Sequence, residues 1–242
     1  MKTIERFMDG IPTIVSDKLE EGQLVENTVV GFGTIIIDKD FLDAMNVIVN
    51  EVNGDKKLIS LITNINNKIN HYFYYEEANS KSRHETYMDN VVVDEEGMII
   101  GTKLSALKGK NVALCSEKSL AAYVILEKLY SMGSITRKPT FVLSQLTTND
   151  SNEGPHAFIM LNKDVNDPTR NLLFDPENPT SVEDSDKKIE KLAGLYSLTD
   201  EEYNNLINGS SCTPKSLYEF FGGYHEVSEK RTYGRLELDK SK

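Results

Sequence analysis

Apolar residues along the chain recur with a helical period in three places and with a strand period in several others. Asp38 and Asp40 stand ahead of Phe41, Leu42, Met45, Ile48 and Val49, a spacing that predicts a capped amphipathic helix. Leu58, Ile59, Leu61, Ile62, Ile65 and Ile69 predict a second helix from about Lys56 to Tyr74. The clearest is the third, from Cys115 to about Met132. Leu120, Ala121, Val124, Ile125, Leu129 and Met132 form a broad apolar face, Lys128 must snorkel out of it, and Gly133 ends it. Between these helices, residues 76–90 are polar and fit a surface loop or short helix, and Val91 to Ile100 fits a short hairpin or a loop laid on the body.

At Pro139 the pattern changes to β. Pro139 to Gln145, the segment opened by His156, and Asn171 to Asp175 each read as strands, joined by polar loops. Upstream, Val29 to Ile37 is rich in β-branched residues and reads as another strand, after a loosely ordered lead-in over residues 1–28. Towards the C-terminus, Thr199 to Glu202 fits a capping box. Thr213-Pro214 opens a predicted helix to Phe221, stopped by Gly222-Gly223, and Thr232 to Leu238 alternates like an edge strand. The expected class is α+β, with strands in succession packed on a central helix. With no repeat or linker, 1–242 reads as a single domain: a mainly helical part (1–68), a core (69–180) and a C-terminal helical extension (181–242).

Composition narrows the function classes. The chain of 242 residues carries 38 acidic against 27 basic side chains, a formal charge of −11, which argues against nucleic acid and anionic lipid as partners. Its two cysteines form neither a disulfide framework nor a Cys-x-x-Cys metal motif. The N-terminus lacks the apolar core of a secretory signal, and no apolar run approaches the ~20 residues of a membrane span. Cytoplasmic residence is the expectation, with secretion by a signal-less route left open.

Three residues carry candidate chemistry. Cys115 opens the third helix, His156 opens a strand after Gly154-Pro155, and Asp175 closes the next strand before Pro176. A cysteine nucleophile works as its thiolate, which the unsatisfied N–H groups and dipole of a helix N-terminus favour. Taken singly, each residue has a plainer reading: a buried core cysteine, a satisfied histidine, a turn aspartate. Their order, spacing and placement at element ends point instead to nucleophile, base and orienting acid.

The pieces Gly154-Pro-His156-Ala-Phe158 and Phe174-Asp175-Pro-Glu-Asn-Pro179, with Cys115 at a helix start, resemble the transglutaminase-like branch of papain-like cysteine enzymes over about Ile69 to Thr180. The resemblance implies a papain/transglutaminase-like fold, with Cys115 as nucleophile, His156 as general base and acid, and Asp175 as orienting acid. It implies a thiol-dependent hydrolase or acyltransferase acting on amide bonds of a protein or peptide through a thioester, of peptidase, Gln deamidase or transglutaminase type. No cofactor is expected. The chain departs from the family pattern at Leu114, where Gly is frequent, at Phe158, where Trp is frequent, and in having no Trp at all. The likeness is therefore to the constellation rather than to one subfamily.

Asn111 and Gln145 are candidate second oxyanion donors, and Lys110 and Lys118 flank the thiol; each also has a plain surface or turn reading. Of the other histidines, His71 falls among aromatic residues on the second helix, His84 in a charged loop, and His225 is the rival base. A zinc site and nucleotide chemistry find no motif. The competing class is a catalytically inactive binding or structural module that keeps the fold. A redox pair would need Cys115 and Cys212 to meet.

Overall fold

A computed structural model describes residues 3–4, 12–26, 34–55, 57–74, 81–147, 153–164, 168, 170–183, 189–220, 223–228 and 231–234. It is a mixed α+β molecule with two sheets and five helices among the described residues. The smaller sheet has the order β1-β3-β4-β6-β5, from β1 (Thr3–Ile4), β3 (Leu24–Glu26), β4 (Thr34–Ile36), β5 (Val91–Val93) and β6 (Ile99–Lys103). The larger is built around β7 (Pro139–Thr147), β8 (Glu153–Leu161), β9 (Asn171–Glu183) and β10 (Ile189–Leu198), all neighbours antiparallel. Beyond β10 it continues through β11 (Lys215–Phe220) and β12 (Gly223–Ser228). On the other side, β2 (Thr13–Val15) and β13 (Thr232–Tyr233) share the edge of β7.

The helices form where the 3.6-residue period predicts them. α1 (Lys39–Val52) starts at Asp38, whose side chain accepts the Phe41 N–H at 3.2 Å. Asp38 also takes the Ser105 N–H, at 2.9 Å, tying the helix start to the 3₁₀ turn Leu104–Leu107. α2 (Leu58–Phe73) buries Leu61, Ile62, Ile65 and Ile69. α3 (Arg83–Met88) is the short helix within the polar 76–90 stretch, with a complete Ser82/Glu85 capping box. α4 (Cys115–Ser131) is the central helix, and Gly133 follows it at φ 73°, the left-handed turn that Gly tolerates. α5 is Asp200–Ile207.

Side chains on β7–β9 alternate between two cores. Phe141, Leu143, Ala157, Ile159, Leu172 and Phe174 face α4, α1 and α2. Val142, Phe158, Met160 and Leu173 face the opposite side, where Tyr196, Leu198, Leu206, Cys212 and Tyr233 close over them. The large sheet is thus covered on both faces, and its strands need not alternate polar with apolar.

Two expectations are corrected. The 1–28 lead-in contains three short strands, and Ile4, Leu19 and Val25 are buried. The predicted helix from Thr213 to Phe221 is the strand β11, and residues 181–242 are strand-rich around α5 rather than a helical extension. In β11, Ser216 pairs with Tyr196 and Phe220 with Gly223, so Gly223 opens the strand β12 instead of stopping a helix. Of the Val29 to Ile37 strand, Thr34–Ile36 is observed, Ile37 follows it outside the strand, and residues 29–33 lie outside the described residues, as does Thr232 to Leu238 beyond Gly234. Among the described residues, no helix is long and apolar enough to cross a membrane.

Candidate active site

Cys115, His156 and Asp175 converge from three elements: the first turn of α4, the start of β8 and the middle of β9. The β8–β9 ladder pairs Ile159 with Phe174 through Leu161 with Leu172. Beyond Ile159, His156 and Asp175 meet through side chains: His156 Nε2 lies 2.7 Å from Asp175 Oδ2. On the helix side, Ser119 Oγ donates to the Ala157 carbonyl at 2.9 Å, fixing the strand one turn below Cys115. Asp175 accepts from Nε2, and Cys115 is near enough to the ring to add to the upward shift of the His156 pKa.

Asp175 is wholly buried, a costly place for a carboxylate unless its lone pairs are filled. They are filled. Oδ1 accepts the backbone N–H groups of Glu177 and Asn178 at 3.0 and 3.1 Å. Oδ2 accepts from His156, from the Asn178 carboxamide at 3.1 Å and from the Tyr233 hydroxyl at 2.8 Å. Burial alone would raise its pKa, but the charge of His156 and these donors outweigh burial and hold it below the usual carboxylate range. The converse applies to His156: burial opposes the imidazolium, yet Asp175, with help from Cys115, pushes its pKa upward. The pair is built to be an ion pair.

A sheath of further residues fixes it. The His156 ring lies 6.1 Å from the ring of Tyr233 and 6.4 Å from that of Phe158. Arg231 donates to the Tyr196 hydroxyl at 2.7 Å and to the Asn178 carbonyl at 3.1 Å. Gly194 sits where the β9–β10 register shifts, and a Cβ there would lie 2.3 Å from the Asp175 carbonyl and 2.6 Å from that of Asn178. Asn178 was findable as the third residue after Asp175 in an Asp-Pro-Glu-Asn turn. Tyr233 carries no local signal, since it reaches the site from the far end of the sequence.

The N-terminus of α4, like that of α2, carries no side-chain cap. Its N-cap residue is Leu114, which supplies no side-chain hydrogen bond, whereas α1, α3 and α5 start at Asp38, Ser82 and Thr199. A leucine N-cap sacrifices about 1 kcal/mol of helix stability and leaves first-turn N–H groups for another acceptor. Cys115 itself is 5% exposed. Beside it, Lys118 and Glu177 form a 2.6 Å ion pair that joins the first turn of α4 to the Asp175 turn.

The two oxyanion candidates fare differently. Gln145 stands opposite Pro155 in the β7–β8 ladder and shares the helix-facing side with Phe141 and Leu143; its Oε1 is buried with no hydrogen-bond partner among the described residues. Asn111 is exposed at φ 55° and donates its backbone N–H to the Phe73 carbonyl at 2.8 Å, the work of a turn residue that tolerates the left-handed region. Lys110 is exposed. Cys212 is buried in the second core, paired through its backbone with Tyr233, and burial pushes its thiol up to about 12. It and Cys115 are both free. The backbone of His225 belongs to β12, opposite Tyr218. A cavity of about 560 Å³ lies at the other end of α4 beside Ser134, Arg137 and Arg170, away from Cys115. Among the described residues no cluster of three or more metal-ligating side chains occurs.

Comparison of the chain with protein-family models, curated proteins and solved structures gives no match. The geometry of the site therefore carries the functional argument.

Proposed function

We propose that the chain is a cysteine enzyme that cleaves or transfers amide bonds of a protein or peptide through a thioester, with a papain/transglutaminase-like core. The observation that carries the reading is the buried His156–Asp175 pair, 2.7 Å apart, next to Cys115 in the first turn of α4. His156 takes the proton of the Cys115 thiol, giving a thiolate beside an imidazolium. The thiolate attacks the amide carbonyl, forming the C–S bond, and first-turn N–H groups of α4 take the developing oxyanion. The C–N bond breaks as His156 gives its proton to the departing amine. Neutral His156 then takes a proton from water or an incoming amine, which attacks the thioester, and the thiolate leaves with the imidazolium restored. Asp175 holds the ring in place throughout, and no cofactor is required.

The test is a thiol-reactive activity probe with a peptide-amide substrate screen. Cys115→Ala and His156→Ala should each abolish labelling at position 115 and turnover while leaving the fold intact. Turnover retained in Cys115→Ala would end the reading. The 5% exposure of Cys115 favours one alternative, an inactive module that keeps the constellation; it expects a folded wild-type protein whose Cys115 labels no faster than a model thiol.

A further inference from the structure

The first turn of α4 contains a buried charge that the proposed chemistry does not use. Glu117, two residues after Cys115, is fully buried. Its Oε2 accepts the Leu114 N–H at 2.9 Å, bracing the turn from inside. Its Oε1 accepts from Arg83 Nη2 at 2.5 Å and from the Tyr87 hydroxyl, both side chains coming from α3. Arg83 also donates through Nη1 to the Val112 carbonyl, gripping the segment that leads into Cys115, and its guanidinium lies 4.8 Å from the Tyr87 ring centroid.

A carboxylate inside the first turn opposes the charge that a thiolate mechanism needs there. It favours helix formation by complementing the dipole, yet it competes with the thiolate for the same positive potential. In a buried setting this repulsion is poorly screened. We infer that Arg83 is a positioning residue for Cys115: from α3 it neutralises Glu117 and ties the approach to α4, so that the turn keeps its shape without spending its positive end on the glutamate. This rests on the reading of Cys115 as nucleophile. Among the described residues, the other charged groups around the thiol are already paired, His156 with Asp175 and Lys118 with Glu177.

The experiment measures carboxamidomethylation of Cys115 by iodoacetamide across pH, read by peptide mass spectrometry with buried Cys212 as internal control and thermal melting in parallel. Arg83→Met should slow Cys115 alkylation about tenfold near neutral pH, with the deficit closing as pH rises, an effect of the size of one poorly screened charge. Arg83→Lys should retain most of the rate. Adding Glu117→Gln to Arg83→Met should restore it, which a merely structural loss could not do. If Arg83→Met does not fold, Glu117→Gln alone decides: a faster rate is expected, and an unchanged one overturns the inference. A fast wild-type thiol with an equally fast Arg83→Met, or a folded double variant without rescue, also overturns it and leaves the nucleophile reading standing. A wild-type Cys115 no more reactive than a model thiol removes both.

Discussion

At the scale of single residues, the His156–Asp175 pair links stability to pH as well as chemistry. His156 has a folded-state pKa raised to about 10 from 6.5, because Asp175 and Cys115 outweigh the burial that opposes its charge. A raised histidine contributes stability that is complete below its unfolded pKa and is lost as pH climbs through the folded value. The unfolding free energy of wild type relative to His156→Gln should therefore be greatest near pH 6 and should shrink steadily towards pH 10, as measured by urea denaturation. Asp175 acts at the other end: its pKa is lowered, so its contribution is present above the ordinary carboxylate range and disappears as pH falls through it. The Tyr233 hydroxyl is one of the donors that hold Asp175 ionised. Tyr233→Phe removes a charge-assisted bond from a buried acceptor and should cost about 1–3 kcal/mol, read from the same denaturation curves.

At the scale of elements, the sequence was most readable where one element could be judged on its own. α1, α2 and α4 lie where apolar period and caps place them, since each carries a full face of core residues. The short strands β1, β2 and β3 have two or three residues each, too few to display a period. They exist because of remote partners: β1 pairs with β3, and β2 lies against β7. Thr213-Pro214 and Gly222-Gly223 imitate helix brackets, and only pairing with β10 and β12 makes the intervening segment a strand. The same division holds at the site. Cys115 announces itself at a helix start, and His156 and Asp175 by the Gly-Pro-His and Phe-Asp-Pro patterns around them, although β9 does not end at Asp175 but runs on to Glu183. Tyr233, Arg231, Arg83 and Tyr87 arrive through contacts between distant segments. Gly194 belongs to this second group. Any side chain there meets two backbone carbonyls that cannot yield without moving the Asp175 turn. Gly194→Ala should destabilise the fold by roughly 1–3 kcal/mol, the usual cost of overpacking, and reduce Cys115 labelling further than its melting point explains. Gly54→Ala, where nothing lies within 4 Å, is the matched control and should be close to neutral.

At the scale of the whole molecule, the site is divided between two layers packed on one another through a shared core. The thiol belongs to the helical layer, held by α4 against α1 and α2 and by Arg83 from α3. The ring and carboxylate belong to the large sheet, held from its far face by Tyr196, Leu206, Cys212 and Tyr233. Their relative placement therefore depends on how α4 seats on β7–β9, and a small shift in that seating would separate sulfur from imidazole. Ser119 is the polar pin of that seating: it is fully buried on α4, and its hydroxyl donates across the layers to the carbonyl next to His156. Ser119→Ala removes a single neutral hydrogen bond, worth about 0.5–1.5 kcal/mol of stability, and opens almost no space. Under the proposed mechanism its effect on Cys115 alkylation at neutral pH should exceed that cost, because the thiolate of that mechanism needs an imidazolium close by and attraction falls with distance. A conventional core truncation in the second layer, Leu206→Ala, should show the reverse: about 2–5 kcal/mol of lost stability with alkylation of the folded protein little changed. Measuring both rates and both unfolding free energies separates the seam between the layers from the strength of either one. Equal alkylation losses in the two variants would mean that the layers move as one body and that Ser119 holds nothing in particular.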